Sequence, residues 1–176
     1  EQEGDVEEIS IGDISTAFLL SHKYGPNDKK KYVSLRMHKG AEIRVFELLG
    51  SLYGQKDAPM RWHERLTEEL EAMGFKKSEN DHCLLRHSTK NIKIVTHVDD
   101  ILCRANRADS EWFWARLKGV FALKKWDYVE TNMPRVYCGV NVSKFTGPSG
   151  TYYGLDQNAD VMEFLADYVQ RGAMPV

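Results

Sequence analysis

Cysteine is scarce in this chain of 176 residues. Cys83, Cys103 and Cys138 are the three, and no two stand in a C-x-x-C spacing. So few, scattered thiols exclude a disulfide framework and fit reduced residues serving as small core side chains in an intracellular setting. A surplus of positive charge is also missing. The net charge is −2, so any surface that grips nucleic acid has to be a local patch. No apolar run is long enough to cross a membrane, and nothing reads as a signal peptide. There is no glycine-rich nucleotide loop, no internal repeat and no low-complexity tract. What is present is an ordinary globular composition, 42% apolar and 28% charged, sufficient for one domain with a core. The chain opens at Glu1 without a methionine, as a fragment of a longer protein would.

The pattern along the chain alternates strands and helices. VEEISIGDIS reads as a strand ending near Asp13, and TAFLLS as a short apolar turn or half-helix. KYVSLRM and EIRVFELL make a hairpin around HKGA. The clearest helix follows, with Asp57 as its cap and Pro59 in its first turn. Trp62, Leu66, Leu70 and Met73 form its apolar face, and Gly74 stops it. CLLRH and IKIVTHV form a second hairpin around STKN, with Asp99 and Asp100 at the end of its second strand. A second helix is expected over residues 109–121, with Phe113, Leu117, Val120 and Phe121 on one face. RVYCGVNVSKF reads as one strand, GPSG as a turn and TYYGLDQ as the returning strand. A third helix places Val161, Leu165, Tyr168 and Val169 inward. The simplest assembly is an α+β fold: an antiparallel, ferredoxin-like sheet with helices packed on one face.

THVDDIL sets two adjacent aspartates inside an apolar run. An ionised acid there has to be paired, hydrated or bound to a cation. Neighbours in a regular strand face opposite ways, but at a tight hairpin turn both can reach one sheet edge. Asp13 ends another apolar strand. Three carboxylates at strand ends repel unless a cation joins them, and hard oxygen donors suit Mg²⁺ or Mn²⁺. Two such ions can activate a hydroxyl and stabilise a leaving phosphate in line. The plain alternative is that Asp-Asp after a strand is a turn, and spacing alone leaves the two readings open. His82, Cys83, His87 and Cys103 are spaced too irregularly for a zinc site and read as core or surface residues.

The ordered set DISTAFL, LLGSLYGQKDAPMRWHERL, MGFKKSENDHCLL and HVDDIL resembles the reverse transcriptase of copia-type LTR retrotransposons. VYCGVNV and LDQNADVMEFLADYVQRGAM continue the likeness, which covers nearly the whole chain. The resemblance implies a polymerase palm. Residues 1–176 would be a palm-centred piece, with the fingers upstream and the thumb and RNase H downstream lying outside it. Asp13, Asp99 and Asp100 would be the catalytic carboxylates and, with the Ile14 carbonyl, the ligands of Mg²⁺ or Mn²⁺. Phe18 would lie under the incoming sugar, and Tyr53, Gly54 and Lys56 would border nucleotide and template. Read without the resemblance, Phe18 is a core residue. His97, where the family has tyrosine, and Gly139 would position the primer. Lys124 and Lys125 would lie near the triphosphate, or else be a solvated pair.

The implied activity is RNA-directed DNA polymerisation, in which a primer 3′-hydroxyl attacks a deoxynucleoside triphosphate. The implied partners are an RNA or DNA template-primer, deoxynucleotides, and the integrase and RNase H of the same polyprotein, with no membrane. The implied setting is a cytoplasmic virus-like particle, with the nucleus as the other compartment. The alternative is a catalytically inactive retroelement remnant kept as a nucleic-acid-binding or interaction module.

Overall fold

The computed structural model describes residues 6–170. Its centre is strand β1, Glu8–Ile14. Alternate residues of β1 serve two layers, as the two-residue period of a strand requires. Ile14 enters one apolar cluster, while Ile9 and Ile11 enter another on the opposite face.

Six strands make the main sheet: β1, β4 (Phe75–Lys77), β5 (Leu84–His87), β6 (Lys93–His97), β7 (Asp100–Ala105) and β8 (Leu123–Tyr128). Their order is β4-β5-β6-β7-β1-β8, and every neighbouring pair is antiparallel. Helices α1 (Ala58–Ala72) and α2 (Arg107–Lys118) cover one face. Trp62, Leu66 and Leu70 of α1 and Phe113, Trp114 and Leu117 of α2 share a buried cluster with Ile94, Ile101 and Cys103 of the sheet. The expected antiparallel sheet with helices on one face is present.

The other face carries a second sheet. Strands β9 (Arg135–Tyr137), β10 (Val140–Gly147) and β11 (Gly150–Asp156) run in the order β11-β10-β9. Val142, Tyr137 and Tyr153 pack there with Ile9, Ile11, Leu102 and Val129. The segment read as one strand from RVYCGVNVSKF is therefore two, broken at Cys138–Gly139. The alternation of Val136, Cys138, Val140 and Val142 disguised that break. The remaining ribbon, β2 (Tyr32–Arg36) with β3 (Ile43–Glu47), matches the first expected hairpin. Its foot is tied to α1 by ion pairs of 2.6 Å from Lys31 to Asp57 and from Arg61 to Asp28.

Several expectations change. Asp57 does not cap α1: its backbone is helical at φ −93° and its carboxylate takes Lys31 and Arg61 instead. Pro59 does lie in the first turn, and Gly74 follows the helix at φ +99°. Helix α2 ends at Lys118, which leaves Val120 exposed, though Phe121 still reaches the core. Helix α3, Asn158–Gln170, shows Val161 and Leu165 exposed rather than inward. The side chains of Tyr168 and Val169 lie outside the described residues. Of the thiols, Cys103 is core, Cys83 half-buried and Cys138 exposed.

Candidate functional site

Antiparallel pairing of β1 with β7 sets Asp13 directly opposite Asp100. Their neighbours Ile14 and Ile101 enter the helix-side core, so both aspartates sit on the face away from the helices. An irregularity in the β1–β8 register falls between Asp13 and Ile14, and such a bulge re-aims the side chain beside it. Asp99 lies one residue away, in the two-residue turn Val98–Asp99 that joins β6 to β7. The Ile14 N–H donates to the Asp99 carbonyl at 2.9 Å, and the Trp62 indole N–H donates to the Val98 carbonyl at 2.6 Å. Asp13 is next to the end of β1, as the sequence suggested, while Asp99 and Asp100 lie past the end of β6, in the tight turn the sequence also allowed and at the first residue of a further strand.

The hairpin between β9 and β10 closes over this edge. Cys138 and Gly139 have φ of +51° and +76°, as the two central residues of a tight hairpin turn require, and Gly139 takes that conformation without strain. The Cys138 backbone N–H donates to Asp100. Even so, burial, with the charges of Asp99 and Asp13, pushes the Asp100 carboxyl above its ordinary range. Burial and the same aspartate push the Cys138 thiol up as well. Asp13 accepts from the Lys124 ammonium at 2.8 Å through Oδ2, which raises the lysine pKa, while its buried Oδ1 has no hydrogen-bond partner. Lys125 pairs with Asp127 at 2.7 Å and stands opposite Asp13 in the β1–β8 register.

The remaining expected residues fall into two groups. Phe18 lies in a single 3₁₀ turn, Ala17–Leu20, half-buried, with its ring edge-on to Tyr53 at 5.2 Å. It lines a cavity of about 190 Å³ with Trp62, Cys83, Thr96, His97 and Val98. Tyr53 is exposed but close enough to Lys124 to act on its charge, so it belongs to the same neighbourhood. His97 is exposed and pairs with Asp100 in the β6–β7 register. Gly54 and Lys56 stand in the exposed loop before α1, and no contact ties them to the acids. The Ile14 side chain is fully buried, so only its backbone reaches this region.

An edge with three acids, one of them driven toward its neutral form and one with an orphaned oxygen, has the chemistry of a hard-cation site. Oxygen donors on one face fit Mg²⁺ or Mn²⁺ better than zinc. Among the described residues, however, no three acidic, histidine or cysteine side chains converge into a ready cage. The Lys124 ammonium occupies one oxygen of Asp13. Two contributors escaped the sequence reading. Trp62 looked like core, and the Cys138 amide had no signal beyond the Cys-Gly pair inside an alternating run.

A family model described as reverse transcriptase (RNA-dependent DNA polymerase) matches residues 7–163. A putative transposon Ty5-1 protein of Saccharomyces cerevisiae is 28% identical over 163 residues, which is 92% of this chain and 48% of that protein. The chain therefore spans about half the length of that relative.

Proposed function

This chain belongs to the reverse transcriptase family of RNA-dependent DNA polymerases, and from that premise we propose that its acidic edge is the nucleotidyl-transfer centre of a copia-type retrotransposon polymerase. The reaction is attack of a primer 3′-hydroxyl on the α-phosphate of a deoxynucleoside triphosphate. The observation that carries this reading is the in-register pair Asp13 and Asp100, with Asp99 in the adjoining turn. The sheet order β6-β7-β1-β8, with α1 between its first two strands and α2 between its last two in chain order, supports a ferredoxin-like palm.

Asp13, Asp99 and Asp100 would hold the divalent cations, Mg²⁺ or Mn²⁺, joined by the Ile14 carbonyl. Bound there, the cations supply charge stabilisation to the attacking and leaving oxygens. The protein's own part is placement. Asp13 and Asp100 offer oxygens from two hydrogen-bonded strands, so their separation is set by the sheet. Lys124 exchanges Asp13 for a phosphate oxygen when substrate enters, since both partners are anionic. Phe18, supported edge-on by Tyr53, lies where a sugar ring passes, and its bulk disfavours a 2′-hydroxyl. Gly54 and Lys56 serve the nucleotide and template from the exposed loop. His97 and the Cys138–Gly139 turn flank Asp100 and seat the primer end. The template-primer, the deoxynucleotides and the integrase and RNase H of the same polyprotein are the partners this role requires.

The test is primer extension by the parent polymerase carrying Asp100→Asn. Extension should depend on Mg²⁺ or Mn²⁺ and fall by about 10²-fold or more, since charge stabilisation at the reacting atoms is lost. Extension at close to the wild-type rate removes Asp100 from the site. A second reading, an inactive remnant serving as a binding module, draws on the Lys124–Asp13 ion pair that closes one ligand. A wild-type polymerase that extends no primer with either cation would decide for it.

A further inference from the structure

Val98 is a β-branched residue at φ +54°, a conformation that such side chains rarely adopt. The residue is 37% exposed and lies outside the core. Two donors from separate elements grip this turn. The Ile14 N–H of β1 takes the Asp99 carbonyl at 2.9 Å, and the Trp62 indole N–H of α1 takes the Val98 carbonyl at 2.6 Å. Trp62 is itself immobile: 1% exposed, one turn into α1, and edge-on to Phe121 at 5.2 Å. A buried indole N–H needs an acceptor, and the Val98 carbonyl is the one it has.

We propose that Trp62 is a positioning residue whose indole N–H clamps the strained Val98–Asp99 turn and so places Asp99 and Asp100 for cation binding. The cation-binding half of this statement rests on the function proposed above. Left unclamped, a valine at positive φ relaxes toward the β region, and the turn carries Asp99 and the start of β7 with it. An asparagine at position 98 adopts the left-handed conformation at little cost and needs no clamp. The clamp therefore predicts a rescue between residues 62 and 98 that loss of core packing does not.

The experiment uses this chain with Trp62→Phe, which keeps an aromatic ring and removes the donor, and with the double variant Trp62→Phe, Val98→Asn. Mn²⁺ affinity is read from the free-ion paramagnetic resonance signal, and hydrogen exchange is followed at the Ile14 amide. Trp62→Phe should weaken Mn²⁺ by about tenfold and speed Ile14 exchange. The double variant should return both to within about twofold of wild type. If the smaller ring prevents folding, benzothienylalanine at position 62 removes the N–H at nearly constant shape, and the same two readouts apply. Wild-type affinity and exchange in the donor-less variant overturn the proposal, as does a double variant no better than the single one. If the wild type shows no Mn²⁺ binding that Asp100→Asn abolishes, the proposed metal site fails on its own. The Ile14 amide then decides the clamp alone: faster exchange rescued by Val98→Asn supports it, and unchanged exchange overturns it.

Discussion

Asp100 is the residue at which the strand pairing meets the proposed cation site. Burial is the largest influence on its carboxyl, Asp99 and Asp13 add repulsion, and the Cys138 N–H offsets only part of this. The folded pKa therefore lies above the ordinary 3.8, which the unfolded chain keeps. A group that binds its proton more tightly when folded favours folding at low pH, and stability falls as pH rises through the window above 3.8. Asp100→Asn should accordingly raise the melting temperature at neutral pH. The gain should shrink as the pH is lowered toward about 4. Melting curves across that range check it, and a variant less stable than wild type at neutral pH contradicts it. Such a gain would mark Asp100 as a residue retained for a task other than stability, as the proposed site requires.

At the scale of the element, the helix-side face of strand β1 meets two tryptophans and a small polar cluster. The Trp114 indole donates to the buried Ser10 hydroxyl at 2.9 Å, and Ser10 and Ser110 share a hydrogen bond of 2.8 Å. Cys103, packed beside the serines, has its thiol pushed up to about 12, mainly by burial, and stays an inert neutral thiol. Trp114 and Trp126 stack at 5.5 Å and 10°, directly against Gly12. A Cβ on Gly12 would stand 2.7 Å from the Trp126 Cβ and 2.8 Å from two Trp114 ring atoms. Gly12→Ala should therefore lift β1 or split the stack, at a cost of about 1–3 kcal/mol. Because Asp13 is the next residue, the same shift should also lower primer extension if the proposed function holds. Urea unfolding measures the first effect, and an unchanged midpoint would mean the tryptophans give way freely. The sequence showed a glycine in a strand, but the two indoles that require it come from residues more than 100 positions downstream.

Across the whole molecule, Glu8 joins the three layers. Its carboxylate takes Arg107 of α2 and Lys144 of β10, each at 3.1 Å. Burial pushes the carboxyl up, yet the hydrogen bonds and charges of Arg107 and Lys144 outweigh it and hold the pKa below the ordinary 4.5. For a depressed acid the stabilisation is present above the unfolded value and is lost as pH falls through it toward the folded one. Glu8→Gln should lower neutral-pH stability, with the difference from wild type closing on acidification below about 4.5. That sign is opposite to the one for Asp100, so the two variants measured side by side test both. Equal melting temperatures for wild type and Glu8→Gln at neutral pH would show the three-layer link to be solvated and idle. Among the described residues no helix is long and apolar enough to cross a membrane. The exposed apolar residues, such as Val45 and Phe46 on the β2–β3 ribbon and Met162 and Phe164 on α3, are spread over separate elements.

By itself the sequence determined what is local or repeated. The 3.6-residue period of Trp62, Leu66 and Leu70 required a helix with one buried face. The alternation in EISIGDI required a two-sided strand, and the ordered motifs around Asp13 and Asp99–Asp100 carried the family. Tertiary structure alone decided what depends on pairing between distant segments. β1 lies between β7 and β8, which no local pattern encodes, because strand order is settled by which faces can be buried together. That order turned Asp13 and Asp100 into cross-strand partners and gave the Val98 carbonyl a donor from α1. It also broke the run at Cys138–Gly139, since the second sheet covers Ile11 and Leu102 only if β9 folds back on β10. Positive φ at Val98 and Cys138 is likewise a tertiary result: valine and cysteine resist that conformation locally, and only the strands and donors around them hold it.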